Sequence, residues 1–161
     1  MTATANETSV LSSEKLLEHW QGHRRLTRRV IEAFPEEKLF TFSVGSMRPF
    51  SEMVLEFLKM AEPIVRGVAT GKWIDKDDLG SPHTKAELLA LWDQATVAIN
   101  RLWSTIPPHR FAEIDKAFGQ WESTGITTIL YAIDNEIHHR GQAYVYLREL
   151  GIEPPAFYDR S

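Results

Sequence analysis

Long segments in which apolar residues recur every three or four positions constrain the fold of this chain most. Such spacing lines apolar side chains along one face of an α-helix. Strand-like alternation is nearly absent, and residues 109–121 are expected to form a turn and a loop. Helices are predicted from Ser12 or Ser13 to Pro35, from Ser51 to Gly71, from Thr84 to Pro107 and from about Thr124 to Leu150. Four amphipathic helices with long connections predict an all-α four-helix bundle.

Local signals define the ends of these helices. Thr84 and Glu87 have the spacing of a capping box, and Gly151 follows the fourth helix as a C-cap. Pro63, inside the second helix, predicts a kink or a local break. Without an internal repeat or linker, one bundle domain is expected over residues 14–161, after a flexible polar lead-in over residues 1–13.

Composition excludes several classes of function. The chain of 161 residues has no cysteine, which rules out disulfides, thiolate nucleophiles and cysteine-ligated metals. A formal net charge of −4 does not favour nucleic acid or an anionic membrane as a partner. The arginines within residues 23–29 are interpreted as a solvated helix face. No secretory signal and no membrane-spanning apolar run is found, so a cytoplasmic protein is predicted.

The fourth predicted helix carries two ionisable groups, Glu136 and His139, on its apolar stripe. Left unpaired in a core, each would cost roughly 1–3 kcal/mol. Asn135 lies one turn before His139, but an amide is a weaker ligand for zinc or nickel than an imidazole. Three interpretations stay open: a buried His–Glu pair that fixes helix packing, an atypical metal site, and a ligand pocket without metal.

Other candidate positions are weaker. His23 lies beside Trp20 on the stripe of the first helix, where a histidine is usually a satisfied core residue. Glu56 precedes Phe57 on the second helix, and a solvated flank is favoured for it over the bundle axis. Gly141 in mid-helix suggests either the close approach of another backbone or a tolerated defect.

Three segments carry a resemblance to a known family. HHRGQAYVYLRELGIEPPAFYD (residues 138–159) resembles the HHRGQ…LR…G…PP signature of the DinB family, the DinB/YfiT-like bundles related to bacterial thiol-dependent transferases. FSEMVLEFLKMAE (50–62) is similar to that family's second helix, and EHWQGHRRL (18–26) to its first. The resemblance implies a four-helix bundle, commonly dimeric. It also implies a divalent metal held by three histidines, one from the second helix and a His-x-x-x-His pair from the fourth. In such proteins the metal can activate a thiol cofactor.

This chain departs from that pattern at two of the three ligands. The second-helix position aligns with Phe57, or with Glu56 if the register shifts by one, and the first histidine of the pair aligns with Asn135. Only His139 matches. A degenerate metal site is therefore predicted, with Glu56, Asn135 and His139 as its remnant ligands and zinc or nickel as the possible ion.

The sequence thus predicts a small-molecule binding protein or another metal-independent role. The predicted pocket is lined by Trp20, His23, Phe57, Asn135, Glu136 and His139. One alternative is a divalent-metal-dependent thiol transferase of the bacillithiol or mycothiol type, with a thiol ligand. The other is a structural or interaction dimer without a ligand. A homodimer is expected in each case, mostly by analogy with the family.

Overall fold

The computed structural model describes residues 10–161, so most of the expected lead-in, residues 1–9, lies outside the described residues. A 3₁₀ turn at Pro108–Phe111 precedes the two strands. The elements are α1 (Ser13–Ala33), α2 (Glu36–Thr41), α3 (Phe50–Thr70), α4 (Lys85–Trp103), β1 (Ile114–Ala117), β2 (Trp121–Thr124) and α5 (Gly125–Glu149). The four predicted helices correspond to α1, α3, α4 and α5, and the predicted bundle is confirmed.

The predicted helix boundaries have clear chemical causes. The hydroxyl of Ser12 accepts a hydrogen bond from the Lys15 N–H at 3.2 Å, which caps α1. Thr84 and Glu87 form the expected capping box at the start of α4. Gly151 follows α5 with a φ of 75°, the left-handed conformation that glycine adopts at helix ends.

Three features differ from the sequence-based expectation. The helix α3 runs unbroken through the buried Pro63, so a local break there was the wrong prediction. Helix α3 packs against both α4 and α5, and tertiary packing supplies most of the stability of a helix in a protein. The short helix α2 lies between α1 and α3, in a stretch for which no element was predicted.

The third difference is a β-hairpin within the region interpreted as turn and loop. Its strands β1 and β2 are antiparallel, and Ala117 pairs with Trp121. Asp115 anchors the hairpin, since its Oδ2 accepts hydrogen bonds from Trp73 Nε1 at 3.0 Å and from Arg110 Nη2 at 2.7 Å. Trp73 in turn packs on the face of Gly67, where a Cβ would lie 2.1 Å from the indole ring. The hairpin is therefore fixed at the end of α3 by side chains distant in sequence.

The core lies between α3 and its neighbours, and α1 completes the bundle by packing against α4 and α5. Helix α5 buries apolar residues together with two charged ones, Glu136 and Arg140. Within residues 10–161, no helix combines the length and the apolar character that crossing a bilayer requires.

Candidate functional site

Glu56, Asn135 and His139 meet between α3 and α5. Asn135 Nδ2 donates a hydrogen bond to Glu56 Oε1 at 3.0 Å, and His139 Nε2 lies 3.3 Å from the same oxygen. Arg48, in the loop before α3, donates to Glu56 Oε2 at 2.6 Å. The imidazole of His139 is fixed from its other side by a 2.7 Å hydrogen bond between Nδ1 and Gln142 Oε1. We call Arg48, Glu56, Asn135 and His139 the Glu56 cluster.

The structure resolves the two alignments of the second-helix position. Phe57 is buried in the core and packs edge-on against Trp92, with ring centroids 6.2 Å apart. Its contact with the site is between aromatic rings, since its ring centroid lies 5.9 Å from that of His139. Glu56 supplies the polar group, and with a side chain only 29% exposed it does not lie on a solvated flank. That expectation for Glu56 was wrong.

Glu56 is held in its ionised form. Burial alone raises the pKa of this carboxyl group, but hydrogen bonds from Asn135 and Arg48 and the charge of Arg48 outweigh burial, so the pKa falls below its usual value. The carboxylate is therefore fixed in position and charged at neutral pH.

The Glu56 cluster does not fit the three-ligand metal centre that the family implies. It offers one imidazole and one carboxylate, and among residues 10–161 no three histidine, cysteine or acidic side chains gather closely enough to hold a metal ion. Asn135 presents its N–H group to Glu56, while its Oδ1 is buried without a hydrogen-bonding partner. The cation of Arg48 already occupies the second oxygen of Glu56. Zinc and nickel favour imidazole or thiolate donors over an amide.

The other predicted pocket residues form a separate buried network between α1 and α5. Glu136 Oε2 accepts from Trp20 Nε1 at 3.2 Å, and Glu136 Oε1 accepts from the Thr27 hydroxyl at 2.5 Å. Arg24 and Arg140 each lie 3.9 Å from this carboxylate. Arg24 is fully buried, so the solvated helix face expected for the arginines within residues 23–29 was wrong at this position, whereas Arg25 is exposed and Arg28 and Arg29 are partly exposed. We call this set, with His23, the Glu136 network.

His23 belongs to this network through Arg140. Arg140 Nη2 lies 2.8 Å from His23 Nδ1, and Arg140 Nη1 donates to the His23 carbonyl oxygen at 3.1 Å. Burial, followed by the nearby charges of Arg140 and Arg160, lowers the pKa of His23 to about 3. His23 is therefore a neutral core histidine.

The predicted pocket is thus divided into two places. Phe57, Asn135 and His139 lie together at the Glu56 cluster, whereas Trp20, His23 and Glu136 are partners in the Glu136 network. The histidine–glutamate pair exists, but His139 pairs with Glu56 because the Glu136 side chain turns toward α1.

A groove of about 760 Å³ adjoins the Glu56 cluster. It runs between α3 and α5, is closed on one side by the hairpin, and reaches Glu56 and Arg48. Its apolar walls include Leu55, Met60, Ile64, Phe118, Trp121 and Tyr131. The sequence did not indicate the groove, because Trp121 falls in the stretch interpreted as a loop and Arg48 lies in the connection before the predicted second helix.

Phe118 holds an unusual backbone conformation at the wall of the groove. Its φ is 52°, the left-handed region that bulky residues rarely adopt. The ring packs against Trp73 and Trp121, with centroid distances of 5.4 Å and 6.3 Å. Strain of this kind persists only where the surrounding packing determines it, and it is often found at binding sites.

The fold and the site define a helical-bundle protein with a polar cluster and an apolar groove between two of its helices. The chain belongs to the DinB family, whose sequence profile matches residues 1–161. The family resemblance drawn from the sequence is confirmed.

Similar proteins extend over nearly the whole chain. The uncharacterized protein YjoA of Bacillus subtilis (strain 168) is 26% identical over 153 residues, which cover 92% of this chain and 97% of YjoA. The crystal structure of that DinB-like protein matches with a TM-score of 0.75 at 18% identity, over 91% of this chain and 99% of the other. A DinB-like protein from Bacillus cereus matches with a TM-score of 0.73 at 18% identity, over 90% and 97%. At this identity the structural likeness defines the fold alone.

Proposed function

We propose that this protein binds a small molecule in the groove between α3 and α5, and that binding requires no metal ion. The observation that carries the proposal is the groove itself, about 760 Å³ in volume, with apolar walls and the fixed carboxylate of Glu56 at one end. Small-molecule sites are concave and mostly apolar, with a few polar groups that orient the ligand.

The polar end of the groove indicates what the ligand carries. Glu56 is ionised and can only accept hydrogen bonds, so a ligand with an apolar body and a donor group (an amine, a hydroxyl or a thiol) matches it. Because Asn135, His139 and Arg48 hold this carboxylate in place, little side-chain entropy is lost when the ligand binds.

Thermal melts and metal analysis test the proposal. The expected result is substoichiometric zinc and nickel, with the same melting midpoint in chelator, zinc and nickel. In chelator, 2-phenylethylamine should raise the midpoint, because a ligand that binds only the folded protein stabilises it. Glu56→Gln keeps the shape but removes the charge, and it should weaken binding of the amine about tenfold through loss of a charge-assisted hydrogen bond. Glu37→Gln, an exposed position on α2, is the matched control and should bind like the wild type.

The metal-dependent thiol transferase is the competing function. One observation favours it, since the 3.3 Å between Glu56 Oε1 and His139 Nε2 is close to the separation of two ligands on a shared tetrahedral ion. Stoichiometric metal that is lost in His139→Ala, with thiol transfer abolished by chelation, would replace our proposal with this one. If the protein binds neither a metal ion nor a ligand, that result would favour the structural dimer instead. The homodimer and the cytoplasmic location stay predictions, and sedimentation at micromolar concentration checks the first.

A further inference from the structure

A second cleft, of about 500 Å³, lies between the C-terminal half of α5 and the tail that follows it. Its lining shares no residue with the groove beside Glu56. The tail is held against α1, because Arg25 Nε donates to the Arg160 carbonyl oxygen at 3.0 Å and Arg29 pairs with Asp159 at 3.1 Å. The cleft is therefore built from two anchored elements.

The floor of this cleft includes Gly141, in the middle of α5. A Cβ built on this glycine would meet nothing within 4 Å, so no neighbouring backbone requires a glycine there. The close approach considered from the sequence does not occur within the described chain. Glycine in a helix interior destabilises the helix relative to alanine. At this position it keeps the floor of the cleft open.

The polar groups of the cleft are mainly hydrogen-bond donors. Arg140 and Arg148 line it, and Arg140 is almost completely buried. The hydroxyl of Tyr144 is buried without a hydrogen-bonding partner among the described residues, and the charges of Arg29, Arg140 and Arg148 reach it. A buried hydroxyl without a partner is uncommon and needs an explanation.

Negative charge in the cleft is weak by comparison. Glu153 is the lining carboxylate, and its side chain is 88% exposed and 4.0 Å from Arg148. At that exposure it neutralises Arg148 only partly. Pro154, Pro155 and Phe157 supply apolar surface on the side of the tail.

We propose that this cleft binds a small organic oxyanion, a carboxylate or a phosphate monoester on a flat apolar body. The oxyanion would accept hydrogen bonds from Tyr144 and Arg148, and the apolar body would lie over Gly141 against the prolines. Arginine next to aromatic and proline surface suits such a ligand, because its planar guanidinium matches the geometry of carboxylate and phosphate.

Titration calorimetry with benzoate and with phenyl phosphate tests this site and separates the two oxyanions. We expect saturable binding of at least one of them. Any binding of benzylamine would occur in the groove beside Glu56 and should be unaffected by Tyr144→Phe. Tyr144→Phe should weaken binding about tenfold, the effect of one hydrogen bond to a charged group. The same variant should melt at the wild-type temperature or higher, because it removes a buried hydroxyl that has no partner.

Two further variants separate binding from folding. Gly141→Leu should melt higher than the wild type, because leucine favours the helix, and should abolish binding by filling the floor. Arg148→Gln should weaken binding, whereas Arg101→Gln, the same change on the exposed face of α4, should not. Absence of saturable binding by both anions would overturn the proposal. Binding that is unaffected by Tyr144→Phe and Gly141→Leu would overturn it as well.

Discussion

Glu136→Ala tests how much the buried charges of the Glu136 network contribute to the free energy of unfolding. Glu136 is 1% exposed and is the buried carboxylate beside Arg24 and Arg140. Burial lowers the pKa of Arg24 to about 10, although the charge of Glu136 raises it. A guanidinium group keeps its proton in proteins, so Arg24 should stay charged at neutral pH in the variant. The variant would therefore leave two buried guanidinium groups without their shared carboxylate, and Arg24 with only the weaker influence of Asp93.

The expected loss of stability follows from these contacts. Removing one partner of a buried ion pair costs about 3–5 kcal/mol, chiefly because the remaining charge is left unpaired. The lost hydrogen bonds from Trp20 and Thr27 belong to the same coupled network and are not added separately. At roughly 2–4 °C for each kcal/mol in a domain of this size, the melting midpoint should fall by roughly 10 °C.

Urea unfolding monitored by circular dichroism measures this loss directly. Glu149→Ala is the control, because it removes an exposed carboxylate from the same helix and should change stability by less than about 0.5 kcal/mol. Trp20→Phe should cost about 1–2 kcal/mol, since Glu136 keeps its other partners. A loss below about 1 kcal/mol in Glu136→Ala would refute the reasoning, because the arginines would then be satisfied without this carboxylate.

Three further outcomes are expected. His23 has a folded-state pKa of about 3, below its unfolded value. The unfolded chain therefore binds the extra proton, and stability should fall as the pH drops from about 6.5 towards 3. Urea melts of His23→Asn should show a shallower dependence of stability on pH, and an unchanged slope would contradict this. Gly67→Ala should destabilise the protein by displacing Trp73, seen as a lower melting midpoint and altered tryptophan fluorescence, whereas a higher midpoint would be inconsistent with that contact. The double variant Glu56→His with Asn135→His should rebuild three histidine ligands. Zinc at a hundredfold excess over Kd should then stabilise the fold by about 2.7 kcal/mol and raise the melting midpoint, and no response to zinc would mean that these are not the ligand positions.

The fold was predictable from the sequence because long amphipathic periods and caps determine it locally. Ser12, Thr84 and Gly151 all act where their chemistry indicates. The hairpin was not predictable, since its strands have four residues each and no clear alternation, and Asp115 fixes them through the distant Trp73.

The site was only partly predictable. Periodicity placed His139 and Asn135 on one face, and the structure brings both to Glu56. It did not distinguish Glu56 from Phe57. Neighbouring residues on a helix point about 100° apart, and only the packing of α3 decides which of these two directions faces α5. Nor did it indicate that Glu136 turns toward α1, since that depends on Trp20 and Thr27 from another helix.

The most direct test is an NMR titration of the metal-free protein with 2-phenylethylamine, observing the tryptophan indole signals. The groove account predicts a saturable shift of the Trp121 signal in chelator, with the buried Trp92 signal unchanged, and a weaker response in Glu56→Gln. A shift that appears only after zinc or nickel is added, or no shift at Trp121, would contradict it.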